Sequence, residues 1–439
     1  MRILVSALSC NPAVGSEALV GFKLTESMAR RHEVVVLASP PSETPAGATL
    51  IPCDAGPCSF NEVGALPLLR FELRQMRLSR ALRRRFQFDM VHRLTPSALQ
   101  LPTWAGNLGK PLVVGPLIAA ETPPSEFRPF LQRPVSPSAQ PRWHPARLAA
   151  RFCRIAVGRA GTAQNHLRYA QCILVGTGAA LSAVPESWRS KCRSLTYAGV
   201  EHDVYLPPDS RPDNAAVRLL FVGRLIPYKG VELLLRALAI AARQHSFHLD
   251  IVGAADPAYK GFLWRLSEEL GLATVPEPAS RITHHASRIT HRASIAFLPP
   301  RPRAQLIHLY QRADIFCFPT ICDTYGIALL EAMSCGCAAL VSDIAGAGEI
   351  VNGNNGLKVA LRSPEQYIAE YAQKLIELAR NRQLRHELGA AARGHILREH
   401  DWSVIGKRLL EIYDDLAAAN GAEVSSNSSK LVARQGERK

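Results

Sequence analysis

The chain has 439 residues and a formal net charge of +15, and that length exceeds one ordinary core, so two domains plus connections are expected. Apolar residues make up 47% and charged residues 20%, which suits a globular chain and argues against a disordered one. No apolar run approaches the roughly eighteen residues of a spanning helix, and ten cysteines without regular spacing argue against a disulfide framework.

The opening MRILVSALSC superficially resembles a signal peptide. It runs straight into NPAVGSEALVGF and reads better as a first buried strand. Ile3–Ala7, Val34–Leu37, Met90–Val91, Leu112–Val114 and Cys172–Val175 are short apolar runs of buried-strand type. Between them, Ala18–Ala29 and Glu62–Phe86 carry apolar residues at helical spacing. Such alternation predicts a parallel sheet with crossover helices over residues 1–200.

The positive charge concentrates in Arg70–Phe86 and Arg142–Arg159. The first of these has Phe71, Met76, Leu78, Leu82 and Phe86 for an apolar side. Two readings stay open: a basic helix lying on an anionic membrane, or a solvated helix whose apolar stripe packs on its own domain. Nucleic-acid binding is suggested by charge alone and lacks any recognisable module.

After the proline-rich stretch Val204–Asp213 the pattern restarts. Val217–Val222, Leu249–Val252, Ile295–Leu298, Ile315–Phe318 and Ala338–Val341 form a second set of strands, giving a second domain over 201–420. Its last helix can reach back to the first domain. The fold class is α/β, two doubly wound Rossmann-like domains facing across a cleft, with ligands at the carboxyl ends of strands. Residues 280–293 repeat SRITHHA as SRITHRA and read as a loop insertion. Residues 421–439 read as a disordered tail.

Cys53 with Cys58, and Cys335 with Cys337, lack histidine partners at zinc spacing, so no metal site is expected. Free thiols point to a reducing, cytoplasmic compartment.

The chemistry concentrates in the second domain. RLLFVG ends at Gly223, and Arg224 and Lys229 follow before a helix at about Val231. Two cations at a strand end beside a helix start make a diphosphate site. CFPT closes another strand, and Asp323 and Glu331 follow, eight positions apart, with Tyr325, Gly326 and Ile327 between them at a helix start. Eight residues is just over two turns, so both acids can face the cleft and accept hydrogen bonds from sugar hydroxyls. The plain alternative is that Asp323 caps the helix and Glu331 pairs with a neighbour.

FVGRLIPYKGVELLLRAL, LDIVG, LYQRADIFCFPT, DTYGIALLEAMSCGCAALVSD and GEIVNGNNG resemble, in order, the donor-site motifs of glycosyltransferase family 4. The resemblance implies a GT-B fold, a nucleoside diphosphate sugar as donor, retention of anomeric configuration and no required metal or other cofactor. By it, Arg224 and Lys229 would stabilise the leaving diphosphate and Glu331 would hold the ribose. Asp323 stands where the family usually has the first glutamate of its E-x7-E pair, contacting the transferred sugar. In the first domain, CNPAVGSEALVGF resembles the loop whose amides approach donor and acceptor, at Gly15 and Glu17. Many members have a histidine after the strand matching Leu112–Val114. Here Gly115 and Pro116 stand there, leaving His92 at another strand end and Glu121 as acceptor-side candidates.

The reaction so implied moves a sugar to a hydroxyl of a glycan, lipid-linked or small-molecule acceptor. A front-face route needs positioned groups and charge neutralisation rather than an enzyme nucleophile. An epimerase or phosphorylase of the same architecture, or an inactive nucleotide-sugar-binding partner protein, are the alternatives.

Overall fold

The computed structural model describes residues 1–13, 15–53, 65–97, 103, 110–119, 121–133, 165–211, 214–275 and 293–436. They form two seven-stranded sheets, both wholly parallel. The first is built from β1 (Arg2–Ala7), β2 (Glu33–Ala38), β3 (Ala48–Pro52), β4 (Met90–Arg93), β5 (Leu112–Leu117), β6 (Cys172–Val175) and β7 (Cys192–Ser194). Helices α1 (Gly15–Ala29) and α2 (Ala65–Arg85) flank it, α3 (Arg128–Leu131) packs instead on the core of the second domain through Phe130, Leu131 and the preceding Phe127, and α4 (Gly178–Ala183) lies back on the first sheet. The spatial order is β3-β2-β1-β4-β5-β6-β7.

The second sheet has β8 (Val217–Val222), β9 (Phe247–Val252), β10 (Ala273–Thr274), β11 (Ala293–Leu298), β12 (Ile315–Phe318), β13 (Ala338–Ser342) and β14 (Leu357–Val359), in the order β10-β11-β9-β8-β12-β13-β14. Around it lie α5 (Val231–Ala241), α6 (Pro257–Glu269), α7 (Arg303–Arg312), α8 (Ile327–Ser334), α9 (Ala345–Ile350), α10 (Pro364–Arg380), α11 (Arg382–His395) and α12 (Trp402–Gly436). Strand order reverses between β1 and β4 in one sheet and between β8 and β12 in the other. Those are the switch points at which doubly wound sheets open a crevice for ligands.

The strands read as unbroken apolar runs because both faces are covered. Ile3, Val5 and Ala7 enter one core cluster while Leu4, between them, enters another. In the second sheet Leu220 faces one cluster, and its neighbours Leu219 and Phe221 the other. Strands β3, β7, β10 and β14 escape that signal. They are the outermost strands of their sheets, and β3, β7 and β10 contain no fully buried residue.

Two of the passages between the domains are bonded to each other: Val200 N donates to His400 O at 2.9 Å. Beyond the second passage, α12 returns to the first domain and packs on α1. Gly406 permits this approach, since a Cβ there would meet Ser27 Oγ at 2.6 Å. Arg31 and Asp414 pair beside it at 3.1 Å.

Helix α12 continues to Gly436, so the backbone is helical over much of the stretch whose composition suggests a disordered tail. No proline interrupts residues 402–436 to stop it. For α2, Phe71, Leu78, Leu82 and the following Phe86 pack on their own domain, and Arg70, Arg74, Arg77 and Arg80 lie exposed. The second basic stretch and the seven-residue repeat lie outside the described residues, apart from Ala293 at the start of β11.

Candidate functional site

At the β8 end, the loop carrying Arg224 and Lys229 folds onto the end of β12. Thr320 Oγ1 and Ile321 N both donate to Tyr228 O, at 3.1 and 2.9 Å. Gly230 makes the approach possible: its φ is +72°, and a Cβ would lie 1.9 Å from Pro319 O. Arg224 is exposed and donates to Tyr228 Oη at 2.9 Å. Lys229 sits over the Phe318 ring at 5.3 Å and pairs with Asp323. The two sequence motifs thus meet at the switch point.

Asp323 is not a simple helix cap. Its Oδ1 accepts from Thr324 N at 2.9 Å, and its Oδ2 takes the Lys229 ammonium. Gly326 opens α8 at φ +106°, where a side chain would strike the Phe318 ring. Ile327, the first residue of α8, is half-buried and packs against the core. Glu331, one turn on, is partly exposed. Tyr205 Oη donates to its Oε1 at 2.6 Å and Tyr310 Oη to its Oε2 at 2.7 Å. Burial pushes the Glu331 carboxyl up, and the two phenols oppose that push.

Tyr325, expected at the donor, points elsewhere. It is 5% exposed, packs edge-on to Tyr197 at 5.3 Å, and bonds to His400 Nδ1 at 3.2 Å. It fastens the loop between Asp323 and Gly326 to the crossing between the domains. Burial holds His400 well below the usual histidine range, at about 3, so it is neutral.

In the first domain, Gly15 is exposed at φ +56° with open space beside it. Glu17 lies below it, 7% exposed, and accepts from Ser97 N at 3.2 Å. Desolvation pushes its carboxyl up to about 8. Among the described residues Glu17 Oε2 finds no hydrogen-bond partner, and the Ser97 hydroxyl stands beside the Tyr197 phenol. These loops follow β1 and β4, the two strands flanking the first switch point.

His92 is wholly buried and therefore lines no acceptor pocket here. Its Nε2 reaches Gly115 O at 2.6 Å, so that nitrogen carries the proton and Nδ1 accepts from Tyr413 Oη of α12. Burial brings its pKa down to about 4. A strand-end histidine is visible in sequence, but a partner 321 residues away is not.

Glu121 reaches the second domain. Its Oε2 accepts from Ala345 N at 3.1 Å, where Ala345 holds a φ of 45° that side chains rarely adopt. A reverse contact stands beside it: Glu349 Oε1 accepts from Gly178 N at 2.8 Å. Sequence reasoning did not find Glu349, Tyr205, Tyr310 or His400 as functional residues. Tyr310 lies inside a quoted motif, but nothing in the spacing joins it to Glu331.

Among the described residues no group of three or more histidines, cysteines or acids is arranged to hold a metal ion. No described helix is long and apolar enough to cross a membrane. Eight cysteines among the described residues are free.

Solved structures share this architecture along almost the whole chain. Sucrose-phosphate synthase from Thermosynechococcus elongatus superposes with a TM-score of 0.66 at 18% identity, covering 95% of this chain and 100% of that one. HepE of Anabaena, in complex with UDP and glucose, gives 0.58 at 18% identity, covering 94% and 99%. WaaG, a glycosyltransferase involved in lipopolysaccharide biosynthesis, gives 0.60 at 18%, covering 92% and 98%. In sequence, the D-inositol 3-phosphate glycosyltransferase of Corynebacterium urealyticum is 27% identical over 266 residues, 56% of this chain and 57% of its own length. D-inositol 3-phosphate glycosyltransferase 2 of Catenulispora acidiphila is 30% identical over 199 residues, 41% of each chain. The matches thus span from 33% to 57% of the length of these curated relatives. The fold is GT-B, and residues 207–395, which hold Arg224, Lys229, Asp323 and Glu331, match the family of glycosyl transferases group 1.

Proposed function

We propose that the chain is a retaining glycosyltransferase that moves a hexose from a nucleoside diphosphate sugar to an acceptor hydroxyl, without a metal ion. The observation that carries this reading is the pairing of Lys229 with Asp323 across the β8–β12 switch point, with Arg224 on the same loop as Lys229 and Glu331 on the helix that follows Asp323, inside the segment that matches group 1 glycosyl transferases. HepE was crystallised with UDP, which supports the same donor class. Arg224 and Lys229 would neutralise charge developing on the departing diphosphate. The leaving phosphate would take the acceptor proton, and the protein would hold both substrates in line. Glu331 would accept from the ribose hydroxyls. Gly15 would let the first domain's loop approach the phosphates from the opposite side.

The acceptor class proposed is a glycan, lipid-linked or small-molecule hydroxyl, used in glycoconjugate synthesis. The outward arginines of α2 support peripheral contact with an anionic membrane. The free cysteines support a reducing, cytoplasmic setting.

The engagement of both Asp323 oxygens favours a second reading, in which the chain binds donor without transferring it. Turnover of UDP-, GDP- and ADP-sugars, with and without mixed acceptors and EDTA, separates the two. Acceptor-dependent release of one nucleotide, unaffected by EDTA, supports the transferase. Binding without release across the panel supports the inactive partner, and a requirement for metal removes the metal-free mechanism.

A further inference from the structure

Glu331 carries more structure than a ribose-binding acid needs. A carboxylate offers about four lone-pair positions, two on each oxygen. Here one position on each oxygen is already taken, by Tyr205 Oη on Oε1 and by Tyr310 Oη on Oε2. The two phenols come from separate parts of the chain, the linker after the first domain and helix α7.

Both tyrosines are held firmly. Tyr310 is fully buried, and its ring packs against Phe316 at 5.9 Å and against Tyr205 at 6.2 Å. Tyr205 is 5% exposed. Its carbonyl accepts from Ser334 Oγ and from Arg393 Nη1, each at 2.8 Å. The Arg303 guanidinium lies 5.1 Å over its ring. Neither phenol can swing away without breaking packed contacts, so the carboxylate plane is fixed in advance.

We infer that Tyr205 and Tyr310 are positioning residues that turn Glu331 into a two-point acceptor for a vicinal diol, and so make the site selective for nucleotides with an intact ribose over their deoxy counterparts. The inference rests on the proposed nucleotide-sugar site and deepens it. With one phenol donor on each oxygen, about one acceptor position per oxygen is left, enough for two hydroxyls on neighbouring carbons. A nucleotide lacking one hydroxyl leaves a desolvated carboxylate oxygen short of a donor, which a site built around hydrogen bonds penalises strongly. The two phenol bonds also oppose the upward push that burial gives the Glu331 carboxyl.

The test is a binding series with UDP, GDP and ADP, followed by the 2′-deoxy counterpart of the tightest, by calorimetry between pH 5.5 and 8.5. Wild type is expected to prefer the ribonucleotide by about ten- to a hundredfold. In Tyr205→Phe and Tyr310→Phe the preference is expected to fall below about threefold, chiefly through weaker ribonucleotide binding. The acidic limb of ribonucleotide affinity is expected to move to higher pH in both. Two independent variants guard against one failing to fold, since Tyr205 lies nearer the surface than Tyr310.

A folded variant that keeps the full preference and an unmoved acidic limb overturns the inference while leaving the donor site intact. A wild type that binds none of the three nucleoside diphosphates overturns the inference and the proposed function together.

Discussion

The ammonium of Lys229 is paired with the carboxylate of Asp323, 94 residues further along the chain. Both side chains are largely buried, at 14% and 17% exposure, so the pair is only weakly screened by solvent. On the proposed reaction a donor diphosphate would compete with Asp323 for that ammonium. Asp323→Asn is therefore expected to tighten binding of the free nucleoside diphosphate by about two- to tenfold, as its competitor becomes neutral. Transfer is expected to fall by at least about tenfold, because the acid proposed to face the sugar is gone. Weaker nucleotide binding in Asp323→Asn would mean that the aspartate orients the lysine rather than restrains it.

Arg224 is exposed, and among the described residues its side chain bonds to Tyr228. Arg224→Ala is expected to lower turnover by about a hundred- to a thousandfold with a smaller change in KM, since charge builds up as the diphosphate departs. Tyr228→Phe should cost far less. Single-turnover kinetics with the identified donor check both, and an Arg224→Ala rate within a few-fold of wild type would remove the assignment.

Glu17 has its pKa raised to about 8 in the folded chain, against about 4.5 for an ordinary carboxyl. Between those values the native state holds a proton that the unfolded chain does not. Stability from this group therefore falls as pH rises from about 4.5 to 8, at up to about 1.4 kcal/mol per pH unit. Glu17→Gln keeps a neutral hydrogen-bonding group and removes this slope. Thermal melts from pH 5 to 8 should show the midpoint of Glu17→Gln gaining on wild type as pH rises. Parallel curves would contradict a protonated Glu17.

His92 works in the opposite direction. Its pKa is brought down to about 4 from 6.5, so stability is present above pH 6.5 and is lost on acidification through that interval. Tyr413→Phe leaves Nδ1 buried without its donor and is expected to cost about 1–3 kcal/mol. The loss should appear as early release of α12 from α1, read by hydrogen exchange over residues 402–416. Unchanged protection there would mean that Tyr413 serves packing alone.

Glu121 and Glu349 clasp the domains reciprocally, each accepting from a backbone amide of the other domain. Both side chains belong to exposed residues, so the double change to glutamine should leave the melting midpoint within about 2 °C. The radius of gyration by small-angle scattering is expected to rise as the clasp weakens. An identical scattering curve would show that the rest of the interface holds the domains closed.

The strands and the domain repeat were legible because both sheets are covered on both faces, which writes continuous apolar runs into β1, β2, β5, β6, β8, β9 and β11–β13. The motifs that hold Arg224, Lys229, Asp323 and Glu331 were legible because each is local: a strand end, a turn and a helix start within a few residues. Their pairing was not. Lys229 meets Asp323 only because β8 and β12 are neighbours in the sheet, and that order is a property of the crossover topology. Tyr325 reads as a donor residue by its place in a motif, yet its side chain is consumed by Tyr197 and His400 at the crossing of the two domains. His92 likewise reads as a strand-end ligand, but α12 returns from the far end of the chain and buries it. Sequence alone determined which residue types stand at the strand ends, since backbone periodicity and turn chemistry are short-range. Tertiary structure decided which of those side chains remain available to a ligand, because burial and hydrogen-bond partners come from segments 75 to 321 residues away.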